Sequence, residues 1–537
     1  MPEYLAPGVY VEEISTGPRP IEGVGTSTLG MVGQTERGPV LPRLVTSWEE
    51  YVRWYGTYVD RVPGGTQLIY LPYAVRGFFD NAGQRLIIAR VTAADAIAAT
   101  AQLAGANGAV TVSAIGPGAW GNGIMVRVTA ASAVDPANPG SPTANWFRLT
   151  LLYYRDGVSP NFVDPTDPAN FGNPNRRDPD VIEDYDNLSI VPTDTNFAQS
   201  VVNPASKLVS LIVNGRPNDV VFDQAVLQNG ANGAADPVIG DYEGDPADPI
   251  ERRTGLLGLA GIDDIALLAV PDEIVIPDIR PVMIQQCERL KDRFAILSAT
   301  AGEQNSDVTT LRPPIDTTYA AYYLPDVRVP APHTPDGNIL VPPTGHVAGI
   351  YARVDTERGV HKAPANEVVR GIINRDLGGD RKPLRYILNK QQQDFLNPKG
   401  VNVIRDFRAD GRGIRVWGAR TESSDGMWKY INVRRLFIFV EESIDQGTQW
   451  AVFEPNYEQT WSAIRLSVAA FLRTVWRNGA LAGVTEDEAF FVKCDRTTMT
   501  QDDWDNGRLI CLIGIAPVKP AEFVIFRISQ KTVEAVQ

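Results

Sequence analysis

Cysteine and histidine are scarce in this chain of 537 residues, which contains three of each. Cys287, Cys494 and Cys511 are far apart, so neither a disulfide framework nor a zinc-ligand spacing is written in them, and buried free thiols are the expectation. His333, His346 and His361 form no H-E-x-x-H and no other short metal spacing. Long apolar runs are missing too. None approaches the roughly 20 residues needed to span a bilayer, which excludes direct membrane insertion as a helix. The opening Met1-Pro-Glu-Tyr-Leu-Ala-Pro-Gly8 lacks the basic and apolar segments of a secretory signal, so folding in the cytoplasm is expected. Positive charge is short as well: the net charge of −14 weighs against a nucleic-acid partner, which would require a basic surface.

Catalytic motifs are equally thin. There is no G-x-x-x-x-G-K-[ST] to seat a nucleotide-driven motor and no G-x-S-x-G to seat a nucleophile. Ser298, near Thr300-Ala-Gly302, is the nearest serine candidate, and its place at a strand end reads as a turn. Asp263-Asp264 reads as a helix cap or solvated loop. Gly116-Pro-Gly-Ala-Trp-Gly121 matches G-x-G-x-x-G, but a strand, Ile124–Val128, follows where a dinucleotide site needs a helix N-terminus. No catalytic residue, metal or cofactor is expected.

What the chain does have is punctuation. Gly (47) and Pro (40) are plentiful, and the length predicts several domains. Residues 1–25 read as an arm: Val9, Tyr10, Val11, Glu12 and Ile14 form a short strand between Pro7-Gly8 and the connector Gly17, Pro18, Pro20. Residues 26–92 read as α/β, with strands at 28–33 and 85–91, a helix at 70–81 and a capping box at Ser47/Glu50. Residues 93–204 predict a β-rich insertion, a sandwich or small barrel, with a solvated acidic loop over 156–186. In 205–377, the apolar run Ile265–Val270, a helix from Ile279 and Phe294–Ser298 predict a parallel sheet. Residues 378–516 predict an α+β domain with helices at 433–444 and 457–477. Over 517–537, Pro517 and Pro520 lead to a second terminal strand carrying Phe523, Val524, Ile525, Phe526 and Ile528. Arg405, Arg408, Arg412, Arg415 and Arg420 either face an acidic partner or pair within the chain.

Tyr4–Ile14 and Pro20–Val24 resemble the opening of contractile tail sheath proteins, found in bacteriophages and in phage-tail-like injection particles. Further similar stretches are Ala119–Asn122, Gly345–Ile350 with Gly359–Asn366, and Gly413–Thr421. Asn432–Arg435, Phe453–Asn456, Cys494–Thr500 and Ala516–Phe523 are similar too, while 130–250 carries little. The resemblance implies a homo-oligomer of stacked hexameric rings around an inner tail tube, capped by baseplate and terminator proteins. It also implies a subtilisin-like α/β region with an inserted β-sandwich and a C-terminal α+β domain whose terminal strands are exchanged between subunits. The cationic Arg473, Arg477, Arg412 and Arg415 would then be candidates to face the tube. Assembly would occur in the bacterial cytoplasm, before incorporation into a virion or an extracellular particle. The match at Ile21–Val24 inclines toward an injection particle over an infectious phage. A catalytically competent subtilisin-like hydrolase is the alternative from another class.

Overall fold

The computed structural model describes residues 19–59, 61, 67–103, 110–133, 146–213, 224–305, 307, 310–379 and 381–525. The expected arm residues Val9, Tyr10, Val11, Glu12 and Ile14 lie outside these, as do Gly17, Pro18, Phe526 and Ile528. The chain divides into two compact units, a larger one of 26–357 with 364–431, and a smaller one in which 358–363 joins the described parts of 1–25 and 432–537.

In chain order the larger unit contains strands β1 (Leu29–Gly33), β2 (Arg43–Val45), β3 (Leu86–Arg90), β4 (Thr100–Leu103), β5 (Val110–Ala114), β6 (Ile124–Ala130), β7 (Trp146–Tyr153) and β8 (Val181–Ser189). There follow β9 (Val209–Val213), β10 (Gln224–Val226), β11 (Leu267–Ala269), β12 (Phe294–Ser298), β13 (Ala320–Leu324), β14 (Val327–Pro330), β15 (Asn338–Val341), β16 (Glu367–Val368), β17 (Val401–Phe407) and β18 (Gly413–Trp417). Nine of them form one sheet in the order β16-β18-β17-β13-β12-β11-β1-β3-β2. The six from β17 to β3 run parallel, and β2 and β18 join antiparallel. Every residue of β1, β3, β11, β12 and β13 is buried. Both faces of a parallel sheet are covered, which is why these strands read as unbroken apolar runs rather than alternating ones.

Helices Leu71–Asp80 and Thr344–Arg358 pack closely because glycines remove the side chains between them. A Cβ on Gly345 would lie 2.1 Å from the Ala74 carbonyl oxygen, and one on Gly349 2.4 Å from that of Phe78. This gives the Gly345–Ile350 stretch a physical reason: its two glycines, one turn apart, face the neighbouring helix. At helix Trp48–Tyr55 the Ser47 hydroxyl accepts from the Glu50 amide (3.1 Å). Glu50 Oε2 turns back to the Thr46 amide (2.8 Å) rather than to Ser47, a variant of the expected box.

The β-rich insertion consists of two antiparallel sheets, β10-β6-β7-β8 and β4-β5-β9, enclosing one apolar core that includes Val112, Val126, Leu149, Leu151 and Leu211. It runs past the expected boundary at 204. β9 pairs with β5 and β10 with β6, because the chain returns to complete both sheets. Part of the expected acidic loop is also strand: Glu183 and Asp184 lie on β8, where Asp184 meets Arg148 of β7. The boundary expected at 377/378 moves as well. β17 and β18 are hydrogen-bonded into the nine-stranded sheet, so 378–431 belongs with the larger unit.

In the smaller unit, helices Ile431–Thr448 and Glu458–Arg477 enclose Leu436, Val440, Ile464, Val468 and Leu472, with Ile21 from the chain's beginning. Against this core stand β19 (Phe490–Lys493) and β20 (Leu512–Ile515), an antiparallel pair.

Candidate functional site

In an open parallel sheet, ligands bind beyond the carboxyl ends of strands where successive crossovers diverge. Here β1 leads to β3 on one side and β11 leads to β12 on the other, so the divergence falls between β1 and β11. That crevice is filled by the chain itself. Asp272, only 1% exposed, accepts from the Tyr242 hydroxyl (2.8 Å) and from the amides of Tyr70 (3.2 Å) and Gln34 (3.3 Å). Burial pushes its carboxyl up to about 6 in spite of these donors. A Cβ on Gly33 would sit 3.0 Å from Asp272 Oδ2 and 3.1 Å from Leu71 Cβ, so the space is closed.

Glu273, next in the chain, is also buried and is pushed up to about 7 by desolvation, against the pull of Arg280. Arg280 Nε lies 3.1 Å from Glu273 Oε2 and its Nη1 3.1 Å from Glu303 Oε1, while Nη2 donates to the Ser298 carbonyl. The Ser298 hydroxyl is buried and shares a 2.6 Å hydrogen bond with Thr344 Oγ1. His346, two residues on, is wedged against Gly77, and burial lowers its pKa to about 4. The polar groups at the strand ends therefore serve one another: carboxylates, guanidinium and hydroxyl tie strand ends to helices. The glycine motif behaves likewise. Gly116 packs on the Gly38 carbonyl, Gly118 takes a φ of 129°, and a single 3-10 turn (Ala119–Gly123) runs straight into β6.

The smaller unit offers a different surface. The β19–β20 pair is a sheet of two strands, with no further strand on either edge among the described residues. Phe491 is 58% exposed, and Leu512 and Ile513 are exposed beside it. Two-stranded sheets are marginal in water and gain from a third strand, and bare edges present unpaired amides and carbonyls. Beyond β20, Pro517 bridges to Leu481 and the Val518 amide donates to the Ala480 carbonyl (3.2 Å), so the chain stays pinned to the body through Val518. After half-buried Pro520, Phe523 (70% exposed), Val524 and Ile525 lie exposed and outside any strand, although Glu522–Ile528 was expected to be one. At the other end Pro20 is exposed, and Ile21 enters the core. Phe453 stands fully exposed with a φ of 68°, a conformation unfavourable for an aromatic residue.

The arginines fall into two sets. Arg473 makes a bidentate pair with Glu486 (2.7 Å each), and Arg477, one turn on, is exposed. In the larger unit Arg412 stacks on Phe407 (4.2 Å) and Arg415 donates to the carbonyls of Arg412 and Asn366. Arg408 pairs with Asp406 and Asp376, Arg405 with Gln393, and Arg420 with the Asn397 carbonyl. Intrachain pairing is thus in place for the whole 405–420 series. Sequence reasoning missed Phe491, Leu512, Ile513 and Phe453.

Residues 258–422 match the family described as phage tail sheath protein central domain, and 423–531 the phage tail sheath C-terminal domain, together about half of the chain. The chain belongs to the phage tail sheath family, whose members are structural rather than enzymatic. A prophage major tail sheath protein of Pseudomonas aeruginosa (strain UCBPP-PA14) is 27% identical over 189 residues, which is 35% of this chain and 45% of that protein. The tail sheath protein of Burkholderia phage BcepMu is 30% identical over 149 residues, 27% of this chain and 30% of that protein. The matched stretch spans less than half the length of these relatives. The fold is shared with the sheath complex of an extracellular contractile injection system, PVC, in its contracted state. The TM-score is 0.55 at 20% identity, covering 99% of both chains. It is shared too with a sheath tail protein from Listeria innocua, with a TM-score of 0.53 at 13% identity, covering 93% of this chain and 96% of that one.

Proposed function

We propose that this chain is the subunit of a contractile sheath, polymerising as stacked hexameric rings around an inner tube and shortening to drive that tube through a target envelope. One observation carries this: the β19–β20 sheet, bare at its edges among the described residues, stands in the same unit as the exposed apolar segment Phe523–Ile525. The terminal segments Val9–Ile14 and Phe523–Ile528 are the strands that neighbouring copies would add to that sheet. Each net hydrogen bond of such an added strand contributes roughly 0.5–1.5 kcal/mol, and apolar burial adds about 25 cal/mol per Å². Gly17, Pro18, Pro20, Pro517 and Pro520 mark the connectors. Contraction repacks the subunit bodies while the exchanged strands stay paired, and the work comes from a difference in interface free energy held behind a kinetic barrier.

The nine-stranded unit takes the subtilisin-like topology in this scheme, with its crevice sealed rather than catalytic. Partners are further copies of the chain, the tube protein, and the baseplate and terminator proteins at the ends. Arg477, with Arg473, Arg412 and Arg415 as lesser contributors because their charges are already engaged, faces the tube. Particles assemble in the bacterial cytoplasm. The shared fold with the PVC sheath favours an injection particle, and an infectious phage tail is the second reading, favoured by the phage relatives. Deleting residues 1–20 or 519–537 should abolish cylinders in negative-stain micrographs and leave single subunits in sedimentation. Normal cylinders from both truncated chains would refute the strand-exchange scheme.

A further inference from the structure

Sixteen residues separate Cys494 from Cys511, and the fold brings the two together. β19 and β20 pair Lys493 with Leu512, and the register carried one residue further sets Cys494 opposite Cys511. The Ala516 amide donates to the Ala489 carbonyl (2.9 Å), so the hydrogen-bonded positions are Ala489/Ala516, Phe491/Gly514 and Lys493/Leu512. Cys494/Cys511 is therefore a non-hydrogen-bonded pair. Such pairs hold their Cα atoms about 4.5 Å apart, within the roughly 4.4–6.8 Å that a disulfide spans. Each thiol shifts the acidity of the other, as close neighbours do. Cys494 is buried, while Cys511 is half-buried at the rim of the core and is the sulfur a reagent from solution reaches first. Arg465 donates to the Cys494 carbonyl (3.3 Å). Cys494 beside it holds the Cys511 thiol below its ordinary value, while Cys511 and burial hold Cys494 well above, so Cys511 is the sulfur that ionises first. Cys287 lies in the larger unit, where burial pushes its thiol up to about 12.

We propose that Cys494 and Cys511 form a dithiol–disulfide switch, oxidised by low-molecular-weight disulfides once the protein leaves a reducing compartment. The Cys511 thiolate attacks one sulfur of the small disulfide and expels a small thiolate. Cys494 then loses its proton to water and attacks the Cys511 sulfur of the mixed disulfide, expelling the second small thiolate. One small disulfide and two protein thiols become one protein disulfide and two small thiols, so atoms and electrons balance. The cross-link ties the ends of β19 and β20, closes the loop 495–510 and fixes the register of that sheet. Its consequence for assembly rests on the strand-exchange reading above, whereas the thiol chemistry does not.

The test is incubation of the full-length protein with oxidised glutathione, followed by denaturation, alkylation and peptide mapping. Free thiols should fall from three to one, with a peptide linking Cys494 to Cys511. Cys494→Ser should leave glutathione trapped on Cys511 and no internal link. Three surviving thiols in the wild type, or stable glutathionylation of Cys511 without the internal bond, would overturn the proposal. A chain lacking 519–537 should still form the bond. A truncated chain that forms it yet builds normal cylinders would count against strand exchange alone.

Discussion

Replacing Asp272 by Asn tests whether the crevice between β1 and β11 is sealed by a reluctantly charged carboxyl. Burial raises this carboxyl from 3.8 to about 6, a difference worth about 3 kcal/mol. The sign follows from proton binding. Between about pH 4 and 6 the folded protein holds this proton better than the unfolded chain does. The favourable contribution is therefore full below about pH 4 and is lost as pH rises through 6. Glu273, raised to about 7 beside it, acts in the same sense and extends the decline. In Asp272→Asn one carboxylate oxygen becomes an NH2 facing groups that donate, Tyr242 and the Gln34 amide or the Tyr70 amide. That loss costs about 1–3 kcal/mol at every pH. The variant should thus be less stable than wild type at pH 4, and the deficit should shrink by about 2 kcal/mol by pH 7.5, approaching parity. Urea midpoints followed by circular dichroism between pH 4 and 8, with the full chain kept dilute, read this directly. A deficit that stays constant or widens with pH would refute the account of Asp272.

Two further substitutions follow from the packing and the charges. Gly345→Ala drives a methyl group to 2.1 Å from backbone that cannot retreat, so a loss of about 3 kcal/mol is expected, seen as a lower melting temperature. Unchanged melting would mean that the two helices are not in contact as described. Arg477→Glu should leave empty cylinders intact but weaken their retention on tubes in co-sedimentation. Arg473→Glu should in addition set like charges against each other at Glu486. Equal tube retention by Arg477→Glu and wild type would remove that helix from the tube face.

Much of the local structure was legible because it rests on neighbours in sequence. Helix Leu71–Asp80 lies within one residue of its expected span, and Phe294–Ser298 matches it. The resemblance carried by short scattered stretches led to the family. Less legible were the pairings. Nothing near Val401–Phe407 announces a place beside β13 in the large sheet, and nothing near Val209–Val213 announces a return to β5. For Arg408 and Arg405 the intrachain partners Asp376 and Gln393 lie on other parts of the chain, beyond the reach of local pattern.

The sequence by itself determined where segments such as strand Phe294–Ser298 and helix Leu71–Asp80 lie, because apolar periodicity and caps act over a few residues. Tertiary structure alone decided that Leu29 stands beside Leu267, that Asp272 closes the crevice this creates, and that Cys494 faces Cys511. Those outcomes depend on register and burial between segments far apart in the chain, and only the folded core brings them together.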